Sequence, residues 1–176
     1  MAEINFTPFP TLSTDRLMLR QLTIEDENEI FAIRSDERIN KYLDRPLCKT
    51  IDEARKFIHK INEGITRNES IYWAINIKTN SGLVGTICLW KISREYSKAE
   101  IGFELLPEHQ GKGIMQEALP KIIEYGFKNM KLRTIEGEVD PNNLKSIKLM
   151  EKFGFRYDRE LNNTVVYSLL SDTERR

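Results

Sequence analysis

The chain has two cysteines and two histidines in 176 residues, and no surplus charge of either sign, since 27 Lys and Arg face 27 Asp and Glu. Each shortage excludes something. Cys48 and Cys88 lie far apart in a chain long enough to build its own core. They read as reduced thiols rather than a disulfide framework, and with no CxxC or Cys/His cluster no metal is expected. Balanced charge argues against a protein that coats nucleic acid or an anionic membrane, which usually carries a basic excess. No apolar run approaches the roughly 18 residues that cross a bilayer. The opening segment lacks the basic start and apolar run of a secretory signal. These absences predict a cytoplasmic protein without a membrane or nucleic-acid partner. With 40% hydrophobic residues, the span 1–176 reads as one domain with a real core.

What is present alternates between two periods. Arg16 to Leu22 has strand periodicity, with Leu17 and Leu19 on one side. Thr23 reads as a helix N-cap, followed by Glu25, Asp26 and Glu27 and an apolar side of Ile30, Phe31 and Ile33. A second helix is expected after Thr50, with the stripe Ala54, Phe57, Ile58 and Ile61. Three strands follow near 71–77, 83–92 and 99–106, joined as an antiparallel meander. A helix over Gly113 to Asn129 contains Pro120, which should bend it or end its first half. A strand at 133–139, a helix at 143–153 and two closing strands at 155–159 and 164–170 complete the order β-α-α-β-β-β-α-β-α-β-β. The fold class is α+β, with a single mixed, mostly antiparallel sheet of about seven strands and helices on both faces.

The chemically informative stretch runs from Glu100 to Met115, a strand, then Gln110-Gly111-Lys112-Gly113, then a helix start. Unpaired amides at a helix N-terminus and glycines that permit close approach suit a phosphate ester. Alone, a Gly-x-Gly turn is equally a tight strand-to-helix connection. It is not a Walker A loop, because Gly113 and Ile114 follow Lys112 where Ser or Thr should stand. Nor is it a dinucleotide fingerprint, because Gln116 occupies the third glycine position and the βαβ setting is missing.

About thirty residues further on, Asn143-Leu144-Lys145-Ser146 opens a helix that ends in Glu151-Lys152-Phe153-Gly154-Phe155. Together with Gln110-x-x-Gly113 and the opening Leu12-x-Thr14-x-Arg16-Leu17-x-Leu19-Arg20, this resembles the GCN5-related N-acetyltransferase (GNAT) superfamily. The likeness is nearest to its ribosomal-protein N-terminal acetyltransferase (Rim-type) branch. It implies acetyl-CoA as cofactor, held where two strands splay apart, and a primary amine as acceptor. By the resemblance, the cofactor arm pairs with backbone at Phe103, Glu104 and Leu105. The pyrophosphate rests on the amides of Gly111, Lys112, Gly113, Ile114 and Met115, with Gln110 shaping the loop. Met115 is larger than the family's usual residue and is tolerable if it points into the core. Asn143 is expected to bond the cofactor arm, and Ser146 to lie near the thioester sulfur.

The reaction needs a neutral amine. An α-amine with pKa near 8 is neutral for roughly one molecule in ten at pH 7, a lysine near 10.4 for well under one in a thousand. A protein N-terminus therefore depends less on a general base than a lysine does. Glu100, Glu138 and Glu104 are the candidate bases, and each is equally readable as a solvated or salt-bridged strand residue. Many family members carry a tyrosine where this chain has Met150, so Ser146 is the substitute acid, unless it merely starts its helix. His59 and His109 read as surface residues, Trp73 and Trp90 as core, and Cys88 as a small buried residue. Lys41, Arg45 and Lys49 could meet an acidic substrate or simply be solvated. The segments from Asp26 to Arg67 and from Leu161 to Thr164 should frame the acceptor. The expectation is direct N-acetyl transfer to a protein N-terminus or a small amine, by a monomer or homodimer. A catalytically silent acyl-CoA-binding domain is the rival.

Overall fold

A computed structural model describes residues 4–175. Eight strands form one open sheet in the order β1-β2-β3-β4-β5-β6-β8-β7. They are β1 (Leu12–Ser13), β2 (Leu17–Gln21), β3 (Ile71–Ile77), β4 (Leu83–Ser93), β5 (Lys98–Leu105), β6 (Thr134–Val139), β7 (Arg156–Leu161) and β8 (Thr164–Leu170). The extra strand beyond the seven expected is β1, a two-residue piece that pairs Leu12 with Leu19, too short to show a period. The β3-β4-β5 meander is antiparallel as expected. Only β5 and β6 run parallel, and their register stops at Glu100 opposite Glu136. Beyond that pair the two strands separate.

Five helices pack on the sheet: α1 (Glu27–Ser35), α2 (Glu37–Asn40), α3 (Ile51–Thr66), α4 (Ile114–Lys128) and α5 (Leu144–Lys152). One turn of α2 was not foreseen, since four residues carry no readable stripe. Local chemistry explains the starts. Thr50 Oγ1 accepts from the Glu53 amide at 3.2 Å, and Glu53 Oε2 accepts from the Lys49 amide at 2.7 Å, so the first turn of α3 is capped reciprocally. Asp26, one of the acids expected at the helix start, is buried. It accepts from the Thr23 amide at 2.9 Å and pairs with both Arg20 terminal nitrogens at 2.8 and 2.7 Å. Pro120 does not end α4, which continues to Lys128. Burial of Ala118, Leu119 and Ile122 against the sheet offsets the lost donor.

The helices divide between faces. Phe57 of α3 meets Tyr72 of β3 edge-on at 5.9 Å, whereas Tyr125 of α4 meets the next residue, Trp73, at 5.3 Å. Alternation along β3 sends those two side chains to opposite faces, so α3 and α4 sandwich the sheet. The α4 face holds the main core, with Leu17, Leu19, Trp73, Ile75, Ile87, Leu89 and Ile135 fully buried. The other face carries Thr86, Cys88, Glu100 and Glu104, and α1 to α3 cover only part of it.

Candidate active site

The loop between β5 and α4 is a nest of amides. Gly111 and Gly113 both sit at φ +74°, a conformation that L side chains rarely adopt, and Gly113 is the N-cap of α4. Among the described residues, the amides from Gly111 to Gln116 donate to no protein acceptor. Six adjacent donors at the positive end of a helix form an anion site that a pyrophosphate would fit. Met115 is buried, so its size is taken up by the core and its amide remains outward. Gln110 Nε2 donates to the Leu105 carbonyl at 3.2 Å, tying the loop to the end of β5.

A latch invisible in the sequence braces this loop from behind. Arg16 Nη1 donates to the Lys112 carbonyl at 3.1 Å, and Arg16 Nε donates to Glu117 Oε2 at 2.6 Å. Glu117 Oε1 also accepts from Thr14 Oγ1 at 2.5 Å and from the Arg16 amide at 2.8 Å. The segment between β1 and β2 is thereby fastened to the first turn of α4. Partial burial tends to raise the Glu117 carboxyl, but the Thr14 and Arg16 donors outweigh it and hold the carboxyl below its ordinary range.

The splay of β5 from β6 supplies the slot. The Leu106 amide turns toward Val84 on β4 at 2.9 Å, so by alternation the backbone of Phe103 and Leu105 turns away from β4, toward the opening. Those are two of the three residues expected to pair with the cofactor arm. The Glu104 backbone turns toward β4, and only its side chain faces the partly covered side. Asn143 is the N-cap of α5 and accepts from the Ser146 amide at 3.3 Å. Its Nδ2 has no hydrogen-bond partner among the described residues. Ser146 is half-buried in the first turn of α5. Met150, in place of the phenol, is core. Its Sδ would lie 2.4 Å from a Cβ added to Gly137, so the bare backbone at Gly137 makes room for it.

The three candidate carboxylates fall into two groups. Lys91 bridges Glu100 at 2.7 Å and Glu138 at 3.4 Å, across the mouth of the splay, and its ammonium lies 4.5 Å from the Trp90 ring centre. A bulge in β4 aims it there, with Lys91 itself at φ +47°. Thr164 Oγ1 donates to Glu138 Oε1 at 2.8 Å, so the first residue of β8 holds the second carboxylate. Burial pushes the Glu100 carboxyl above its ordinary range, and the Lys91 ammonium offsets that only in part. Burial opposes the Lys91 charge, but Glu100 and Glu138 raise its pKa nonetheless. Glu104 stands apart, about 13 Å along the strand from Glu100 at ~3.3 Å per residue. It pairs with Arg45 of the loop after α2.

Other expectations sort plainly. Arg45 is three-quarters buried, at 23% side-chain exposure, whereas Lys41 and Lys49 are solvated. His59 is exposed; His109 is partly buried, and its Nδ1 has no partner among the described residues. Trp73 is core, but Trp90 is not. At 42% exposed it lies past the buried run Leu83–Leu89, on the Glu100 side of the sheet. Cys88 is buried, and desolvation followed by the Glu104 charge pushes its thiol up to about 12. Among the described residues no helix is long and apolar enough to cross a membrane.

Comparison with known proteins agrees with this geometry. The model of the acetyltransferase (GNAT) domain family matches residues 16–156. N-acetyltransferase YoaA of Bacillus subtilis is 32% identical over 94% of this chain and 99% of its own, and N-acetyltransferase p20 of Bacillus licheniformis is 35% identical over 83% and 82%. Spermidine N(1)-acetyltransferase of Escherichia coli is 34% identical over 85% of this chain and 77% of its own. Among solved structures, an acetyltransferase (GNAT family) of Bacillus anthracis superposes with a TM-score of 0.79 at 26% identity, covering 92% of this chain and 98% of its own. RimL, a ribosomal L7/L12 α-N-protein acetyltransferase solved with coenzyme A, superposes at 0.79 with 18% identity, covering 93% and 99%, a likeness of fold. The amide nest, the splayed strands and the matched domain model together make this chain a member of the GNAT family, an acetyl-CoA-dependent N-acetyltransferase.

Proposed function

We propose that the chain, as one domain over 1–176, transfers the acetyl group directly to a primary amine, with a protein N-terminal α-amine favoured over a polyamine. Acetyl-CoA supplies the acetyl group as an activated thioester. The amides of Gly111 to Met115 would hold its pyrophosphate, the backbone of Phe103 and Leu105 its arm, and Asn143 Nδ2 a carbonyl of that arm. Glu100, or Glu138 beside it, would take the proton from the incoming ammonium, and Ser146 would serve the leaving sulfur. Direct transfer is supported by Cys88, the thiol on this face, whose pKa of about 12 leaves almost no thiolate to act as a covalent carrier. Buried, unpaired Cys48 and Cys88 also suit a reducing compartment, and we place the protein in the cytoplasm.

The observation that carries the acceptor preference is charge balance. Four acids on the accepting face meet four cations in total: Glu100 and Glu138 share Lys91, Glu104 pairs with Arg45, and Glu136 pairs with Lys98 at 3.1 Å and Arg159 at 3.2 Å. A polycation needs a surplus of carboxylates, whereas an α-amine that is already partly neutral at pH 7 needs only one moderate base. The test is the rate of CoA thiol release with a serine-initiated peptide and with spermidine as acceptors. A kcat/KM at least ~10-fold higher for the peptide is expected, and the reverse order would sink the preference.

A further inference from the structure

Arg34 lies in the last turn of α1, and its guanidinium lies 3.9 Å from the centre of the Phe57 ring. Phe57 packs edge-on against Tyr72, and the Tyr72 hydroxyl donates at 3.1 Å to Thr86, the register partner of Glu104. These contacts place Arg34 on the face that carries Glu104. Arg45 reaches the same place from the loop after α2. Its Nε donates to Asn40 Oδ1 at 2.7 Å, and Asn40, itself buried, is pinned through Nδ2 to the carbonyls of Ile33 and Asp36. So two guanidiniums stand beside one carboxylate, and Arg45 has engaged it. Among the described residues, Arg34 has no carboxylate within 4.0 Å and no side-chain hydrogen bond.

A guanidinium with five donors, half withdrawn from water and unpaired with any side chain, gains from an acceptor that comes to meet it. Stacking on Phe57 covers one flat face and leaves the rim, where the donors are, to make bonds. Burial, then the like charge of Arg45, pulls the Arg34 pKa below its ordinary value, although the group stays charged at neutral pH. Both effects are relieved by one event, the arrival of an anion. The neighbouring Glu100 end of the face already offers a carboxylate to the amine. The two ends of the face therefore ask for opposite charges.

We infer that Arg34, backed by Arg45, is a subsite for an anionic group, a carboxylate or a phosphate, carried by the acceptor at a fixed span from the amine that is acetylated. The inference rests on the acetyltransferase reading with the acceptor on this face. The span follows from the strand. About 13 Å separate Glu100 from Glu104, the length of three to four extended residues at ~3.4 Å each. An acidic side chain a few residues after a peptide's α-amine meets that requirement. A polyamine would bring an ammonium to the same place and be repelled.

The experiment compares acetylation of serine-initiated peptide amides that carry Glu, Gln or phosphoserine at the second, third or fourth position, by wild type, Arg34→Met and Arg34→Lys. The Glu/Gln pair keeps the shape and the amine pKa while removing the charge. In wild type the Glu peptide should exceed the Gln peptide by at least ~10-fold in kcat/KM at one position, carried by KM. That ratio should fall to within ~2-fold in Arg34→Met and be partly kept in Arg34→Lys. Phosphoserine outrunning Glu would assign the subsite to phosphate, and the reverse order to carboxylate. Stabilisation by acetyl-CoA should be the same in all three proteins, which separates this subsite from the cofactor site. Equal rates for Glu and Gln peptides at every position, or a preference that survives in Arg34→Met, overturns the inference. If no peptide is acetylated, the proposed acceptor class fails, but the subsite is still read by calorimetry on CoA-loaded protein. Tighter binding of the Glu peptide that is lost in Arg34→Met supports it, and equal binding overturns it.

Discussion

The loop from Gln110 to Met115 and the face that carries Glu100 and Glu104 meet at the end of one strand, β5, yet they are made of different material. The loop works through main-chain amides. Its two glycines at φ +74° and the start of α4 create the donors, and the side chains hardly matter, which is why a buried Met115 is tolerated. The opposite face works through side chains that arrive from far along the chain: Arg45 from the loop after α2, Lys91 from a bulge in β4, Thr164 from the start of β8. A backbone site tolerates changes of side chain but not of conformation. A side-chain site can be retuned one residue at a time without disturbing the cofactor. That division suits a family in which one cofactor serves many acceptors.

The strongest way to break the comparison is to attack the loop's backbone. In Gly113→Glu, a non-glycine residue at φ +74° costs about 1–3 kcal/mol, and the new carboxylate sits among the amides proposed to hold the pyrophosphate. We expect stabilisation by acetyl-CoA to vanish in a thermal-shift titration. At 100 times Kd that stabilisation amounts to about 2.7 kcal/mol in the native protein. Retained stabilisation would mean that the nest is not the pyrophosphate site.

On the side-chain half, Glu100→Gln should keep acetyl-CoA binding and lower kcat by ~10²-fold, the low end of general-base effects, because an α-amine needs little help. The pH profile sharpens this. A base must be ionised, and burial holds the Glu100 carboxyl above its ordinary range while Lys91 pulls the other way and Glu138 and Glu136 add like charge. Activity should therefore fall with decreasing pH at values above the usual carboxylate range, and that acid limb should disappear in Glu100→Gln. If it persists there and disappears in Glu138→Gln instead, the base is Glu138.

The same division explains what could be read from the sequence. The β3-β4-β5 meander, the helix after Thr50 and the glycine turn into α4 were all readable, because local signals specify them: period two, an N-cap with acids behind it, a Gly-x-Gly before an apolar stripe. The resemblance added what the residues alone left open, the expectation that this loop receives the pyrophosphate of acetyl-CoA. Four things were missed for one reason. Two-residue β1 and four-residue α2 are too short for a period, Trp90 alternates correctly but lies past the covered part of β4, and Arg34 looks like an ordinary last-turn cation. Each depends on what packs opposite, which no local window contains. The Arg45–Glu104 pair, 59 positions apart, is of the same kind.

The Arg16–Glu117 latch tests whether the two halves are truly separable, since it is made of side chains but supports the backbone site. Glu117→Gln keeps the shape and one acceptor for Thr14 while removing the charge that Arg16 engages at 2.6 Å. Arg16 is half exposed, so solvent screens the pair, and a loss of only about 0.5–1 kcal/mol is expected. The sign with pH is determined. A carboxyl held below its ordinary range adds stability above that range and loses it as pH falls through the lowered value. Wild type and Glu117→Gln should therefore differ in melting temperature by about 1–4 °C at neutral pH and converge in acid. The instructive quantity is acetyl-CoA affinity at neutral pH. A few-fold loss, with the melting temperature lowered by no more than those few degrees, would show that six backbone donors still need a side-chain brace to stay aligned. Unchanged affinity would mean that the glycines and the dipole of α4 suffice, and that the latch serves stability alone.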